Sequence, residues 1–241
     1  MYGYLREGAV AGLVGGAVYG AYVALVGTPL VAHAEHLAGH GGDGGHDHAG
    51  EGAGLVAEGT VQTVSAAGSV ALGLLLGLVV FGVAAYLLEP ALPETGGSYL
   101  LGLCGFLAVS GVPWLVLPPA VPGAESSLPT TAALSLYAGL VVVGAGACVA
   151  AGTAYRRLAT RSRPIAVGGA LGVFGVVVGT AVFLAPAVTY EAGVPGDLQA
   201  AYTGVVVVGQ LLLWGVAATV HGRLSRRTVD ADPTVRPTSA D

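Results

Sequence analysis

The chain has 241 residues, 54% of them hydrophobic and 10% charged, with a mean hydropathy of +0.76 and a formal net charge of −5. A soluble domain carries about 25% charged residues, so this chain has too little charge to solvate its own surface in water. All nine basic residues are arginine, and no run of them makes the basic surface that nucleic-acid binding needs.

In chain order, six apolar segments predict an all-α, polytopic membrane protein of about six transmembrane helices. They are roughly Ala9–Thr28, Ala66–Leu88, Ser98–Leu117, Thr131–Ala154, Ile165–Val188 and Thr203–His221. Each is close to the ~20 residues that span a bilayer core as helix. The first carries Gly8, Gly12, Gly16 and Gly20 at four-residue intervals, a smooth stripe read as membrane packing rather than a dedicated dimer motif. Arg6, the apolar run and Ala32-His33-Ala34 also have the order of a signal peptide. The run is longer and richer in glycine than a signal core, so it is read as a retained span.

Glu89 before Pro90 closes the second segment. The third is the weakest, interrupted by Pro113 and ended by Pro118-Pro119. Cys104 and Cys148 lie inside apolar runs and read as small membrane residues, not as a disulfide or metal pair. Residues 1–228 are read as a single transmembrane helical domain with a histidine-rich outer loop at 29–65. The polar stretch Val229–Asp241 is read as a disordered cytoplasmic tail.

Arginine placement orients the chain. Arg156, Arg157, Arg161 and Arg163 fill the loop between segments four and five, Arg223, Arg226 and Arg227 follow segment six, and Arg6 precedes segment one. Six spans put all of these on one side, which the positive-inside rule makes cytoplasmic. Five spans would place the two ends on opposite sides and misplace one arginine group. Six is therefore expected, with both termini inside and the loops 29–65, 118–130 and 189–202 outside.

The chemistry concentrates in the first outer loop. His33, His36, His40, His46 and His48 fall within sixteen residues, with Glu35, Asp43 and Asp47 among them. Neutral imidazole is the commonest protein ligand for divalent transition metals, and carboxylates add oxygen donors. His33, His36 and His40 would share one face if helical, and the glycines of 41–45 would let His46 and His48 fold back. The metal ligands expected are His33, Glu35, His36, His40, His46 and His48. The opposing reading is a hydrophilic connector. Polar groups in the spans are few: Glu58 and Gln62 share a face at the entrance to segment two, and Gln210 and Trp214 share one in segment six. Glu58, Gln62 and Gln210 are the transport-path candidates. Tyr19 and Tyr22 could line a path but read first as packing, and His221 reads as interfacial. No P-loop, nucleophile–base motif or cysteine metal box is present, so the chain is not read as an enzyme.

The order of features resembles the CbtA family, the predicted cobalt transporter subunit, from about Gly8 to Arg227. The motifs are Ala24-Leu25-Val26-Gly27-Thr28-Pro29-Leu30 with Ala34-Glu35, then the histidine loop, then Glu58-Gly59-Thr60-Val61-Gln62-Thr63. Pro113, Leu117-Pro118-Pro119-Ala120-Val121-Pro122-Gly123 and Pro186…Glu191…Pro195-Gly196 complete the set. The resemblance implies cobalt uptake for cobalamin synthesis and a small one-helix partner, CbtB, beside the lipid bilayer. Co²⁺ is the implied cargo, with Ni²⁺ or Zn²⁺ as alternatives, and no cofactor is bound permanently. The sequence departs from the family where Val61 and Gln62 follow Glu58-Gly59-Thr60 without a basic residue. A membrane metal-binding or scaffold protein, collecting or sensing metal without conducting it, is the alternative function. What separates the two is a continuous polar path through the spans, and the sequence offers little of one.

Overall fold

A computed structural model of the chain describes residues 1–30, 67–88, 92–93, 96–121, 124–191 and 195–231, with side chains to residue 226. The expected all-α membrane fold is present. Six helices among the described residues are long and apolar enough to cross a bilayer. They are α1 Tyr2–Leu30, α2 Ala67–Leu88, α3 Gly97–Trp114, α4 Thr130–Leu158, α5 Arg163–Leu184 and α6 Gly196–Ala231. Their ends differ from the hydropathy limits where polar residues continue a helix beyond its apolar part. α1 begins seven residues earlier than its apolar run and includes Arg6 and Glu7. α6 runs on to Ala231, into the stretch read as tail. α3 stops at Trp114, three residues before Leu117. A short antiparallel pair, β1 Glu125–Ser126 with β2 Tyr190–Glu191, joins two of the loops, with Glu125 opposite Glu191.

The chain forms two compact units. In the first, α1, α2, the start of α3 to Leu103 and α6 from Val208 onward pack together. The contact of α1 with α2 is made of glycine. A Cβ on Gly12 would overlap the carbonyl oxygen of Gly73, and one on Gly77 would overlap that of Gly8. A Cβ on Gly16 would lie 2.7 Å from the Ser69 carbonyl oxygen. The stripe read as packing therefore meets a second stripe, Ser69, Gly73 and Gly77, at the same four-residue interval. In lipid no hydrophobic force joins two helices, so close backbone approach supplies the attraction by dispersion. The other face of α1 meets α6: Gly15 lies against Leu213 and Ala217, and Gly209 against the rings of Tyr19 and Tyr22. α3 joins α6 through Gly102 against Ala218 and Gly222 against Ser98. Phe81, Leu213, Trp214, Ala217 and Ala218 fill the centre.

The second unit contains α3 from Cys104, α4, α5 and α6 up to Val207. Its core is Val112, Val116, Leu140, Ala147 and Val178. Pro113 lacks an N–H, and its ring crowds the carbonyl four residues back, that of Val109. The helix widens into a π-helical stretch over Leu107–Gly111 just before it, and Tyr137 of α4 donates its hydroxyl proton to the Val109 carbonyl at 2.9 Å. A freed backbone acceptor at membrane depth is thereby paired. The hairpin of α4 and α5 turns on Ala159–Ser162. Arg156 and Arg157 close the last turn of α4, where cations oppose the helix dipole favourably. Ser162 caps α5, accepting from the Ile165 N–H, with proline in the first turn. Only 6% of the most apolar stretch of α5 is buried, and Leu171, Val176, Phe183 and Leu184 stand exposed, as befits a lipid-facing surface. Cys104 and Cys148 are free and half-buried, with the Cys148 thiol 3.8 Å from the Cys104 carbonyl oxygen.

Candidate functional site

The expected metal ligands His33, Glu35, His36, His40, His46 and His48, and the expected entrance residues Glu58 and Gln62, lie outside the described residues. The third path candidate, Gln210, is on α6 in the first unit, half-buried. Its chain neighbour Gly209 packs against the rings of Tyr19 and Tyr22.

From Gln210 a line of polar groups runs along α6. Trp214, His221 and Ser225 follow at offsets of four, seven and four, the spacings that keep side chains on one helical face. At about 1.5 Å per residue the line covers roughly 22 Å, most of a bilayer core. Its middle is buried: Trp214 is 3% and His221 is 4% exposed. Among the described residues the indole Nε1 of Trp214 and the imidazole Nε2 of His221 have no hydrogen-bond partner. Leaving such a group unpaired costs about 1–3 kcal/mol.

His221 reads from sequence as interfacial, at the end of a span. In the structure α6 continues beyond it, and its side chain is buried against other helices of the first unit. From α3, Ser98 Oγ lies 2.9 Å from Nδ1. From α2, the Phe81 ring lies against the imidazole, with centroids 5.2 Å apart, and its centroid is 6.3 Å from that of Trp214. From α1, Glu7 reaches the same end of the unit. Ser225 donates to its Oε2 at 2.9 Å, and the same hydroxyl lies 3.0 Å from the His221 carbonyl oxygen. Phe81 sits inside a π-helical stretch of α2, Gly77–Ala84, a geometry frequent at functional sites. On the opposite side of α6 the hydroxyl of Thr219 lies 3.5 Å from the Tyr99 hydroxyl.

Sequence reasoning missed this cluster for a clear reason. Ser98 and Glu7 are 123 and 218 positions from their partners, and nothing local marks them. The offsets that join Gln210 to Trp214 continue to His221 and Ser225, and that signal was readable. No group of three or more His, Cys, Asp or Glu converges among the described residues. The chemistry of the cluster is thus one imidazole and one carboxylate, supplemented by hydroxyls and a carbonyl.

Compared with known proteins, residues 1–226 match the model of one family, described as probable cobalt transporter subunit (CbtA). No curated protein and no solved structure matches the chain.

Proposed function

We infer the function of this chain from its family: it belongs to the CbtA family of probable cobalt transporter subunits, and we propose that it carries Co²⁺ inward across the cell membrane. The word subunit implies a partner, and a small one-helix protein of the CbtB kind fits that place. The outer loop collects the ion through His33, Glu35, His36, His40, His46 and His48. Glu58 and Gln62 form the entrance beyond it. The metal supplied serves cobalamin synthesis. The arginines of the α4–α5 turn and of the end of α6 support cytoplasmic termini.

One observation carries the reading from family to mechanism: the polar line Gln210, Trp214, His221, Ser225 through the apolar body of the first unit. A scaffold that only holds metal at its surface has no need of polar groups at such depth, where they are costly. The chain has no nucleotide-binding loop, and the membrane potential is a sufficient source of energy. Moving one charge inward gains about 2.3 kcal/mol per 100 mV, and a divalent ion gains about twice that.

Radiolabelled cobalt uptake, compared in cells with and without the protein, tests the proposal. Accumulation that depends on the protein and collapses with the membrane potential is the expected result. Cobalt bound at the cell surface with none entering would favour the scaffold.

A further inference from the structure

We propose that the turn joining α4 to α5 is a docking surface for anionic phospholipid headgroups, held by Arg156, Arg157, Arg161 and Arg163. All four residues are exposed, and none forms an ion pair among the described residues. No aspartate or glutamate lies between Glu125 and Glu191, so the α4–α5 hairpin carries four positive charges and no negative one. Glu125 and Glu191 pair just before α4 begins, at the far end of that hairpin. The 29 residues of α4 put about 40 Å between them and the arginines. Exposed charges are largely screened beyond ~8 Å at physiological salt. In a chain of net charge −5, this patch therefore has no counter-charge within its own hairpin.

The patch lies at headgroup depth. It is bounded by Ala154 and Ile165, where the apolar parts of the two spans end. Tyr155, 38% exposed, stands beside it, and tyrosine is enriched at the membrane–water interface. Below the patch α5 faces lipid: 6% of its most apolar stretch is buried, and its first residue is Arg163. A lipid phosphate at this level meets guanidinium groups that can bind two of its oxygens at once. The long arginine stems let the charge reach that level from the helix ends. Each basic side chain near an anionic membrane surface strengthens binding about fivefold. A glycerol headgroup leaves the phosphate charge uncompensated, whereas choline neutralises it in place, so anionic lipid is the occupant the patch selects. The surface is separate from the cobalt path, because the arginines belong to the second unit and Gln210, Trp214, His221 and Ser225 to the first.

The test uses the full chain in nonionic detergent, where membrane sidedness plays no part. The probes are phosphatidylglycerol and phosphatidylcholine with identical acyl chains, and native mass spectrometry reads the affinity of each. Phosphatidylglycerol should bind at least about tenfold more tightly, and the preference should shrink as ammonium acetate is raised. Arg157→Gln and Arg161→Gln should each weaken phosphatidylglycerol about fivefold and leave phosphatidylcholine unchanged. Both side chains are exposed, so the fold should survive. Arg161→Lys keeps the charge and should retain most of the preference. Arg223→Gln combined with Arg226→Gln, at the end of α6, is the control and should leave the preference in place. Equal binding of the two lipids, or a preference untouched by Arg157→Gln and Arg161→Gln, overturns the surface. So does a preference lost as fully in the α6 control, which would assign it to total charge rather than to this turn. A wash with millimolar inorganic phosphate should leave phosphatidylglycerol bound; its removal would mark a site for free phosphate and overturn the lipid assignment.

Discussion

The hydroxyl of Ser225 donates to Glu7 Oε2 at 2.9 Å, joining the end of the last helix to the beginning of the first. The same two helices touch at Gly15 with Leu213 and Ala217, and at Tyr19 with Gly209. The position numbers fall on one as they rise on the other, so α1 and α6 are antiparallel. The start of α1 and the end of α6 therefore lie at the same end of the first unit. An even number of crossings is what such an arrangement demands, and six meets it where five does not.

Topology follows directly. In a background free of Cys104 and Cys148, single cysteines at Gly45 and at Thr160 should label from opposite sides of the membrane. Gly45 should react with an impermeant reagent outside, and Thr160 only after permeabilisation. Labelling of both from one side would refute the six-span arrangement.

Packing of α1 on α2 depends on the absence of side chains. Gly12→Val must push the Gly73 backbone away, and a loss of about 1–3 kcal/mol or more is expected for such overpacking. Gly172→Ala on α5 meets open space and should be neutral or stabilise by up to about 1 kcal/mol. Thermal unfolding in detergent compares the two. Equal effects would show that the glycine stripe has no special role.

Pairing of Tyr137 with Val109 compensates for Pro113. Tyr137→Phe leaves that carbonyl without its donor and should cost about 1–3 kcal/mol. In a Pro113→Ala background the restored N–H can serve the carbonyl, so the same substitution should cost less. A double-mutant cycle on unfolding free energy measures the coupling, and strict additivity would contradict the account.

Binding of Co²⁺ by the outer loop should weaken as pH falls through about 6.5, the ordinary histidine value. The sign follows from competition, since a protonated imidazole cannot ligate and metal binding must expel the proton. Calorimetry on a peptide of residues 33–48 measures it. Affinity unchanged by replacing the five histidines with alanine would end the loop's assigned role.

At the entrance, Glu58→Gln keeps size and removes charge. Uptake should slow several-fold while loop binding and expression stay normal. If uptake is established and this variant transports at the wild-type rate, the entry lies elsewhere, and Gln210→Leu becomes the next measurement.

What the sequence by itself determined is what depends on composition and on short spacings. Apolar runs near twenty residues determine six helices, because backbone groups in lipid must be satisfied within the segment. Four-residue glycine spacing determines that a face of α1 is flat, and the family is legible in the order of its motifs. The density of imidazoles at 33–48 is readable from the sequence alone, and it is the basis on which metal binding by that loop is proposed. Helix ends were less legible, since Arg6, Glu7 and the residues beyond His221 are polar yet helical. Only the tertiary structure decided which stripe meets which, and that His221 is buried against Ser98 and Phe81, with Glu7 joined to it through Ser225. The physical reason is that a side chain's neighbours across a helical bundle are set by packing and register over a hundred positions or more. A histidine at the end of an apolar run looks the same in sequence whether water or other helices surround it.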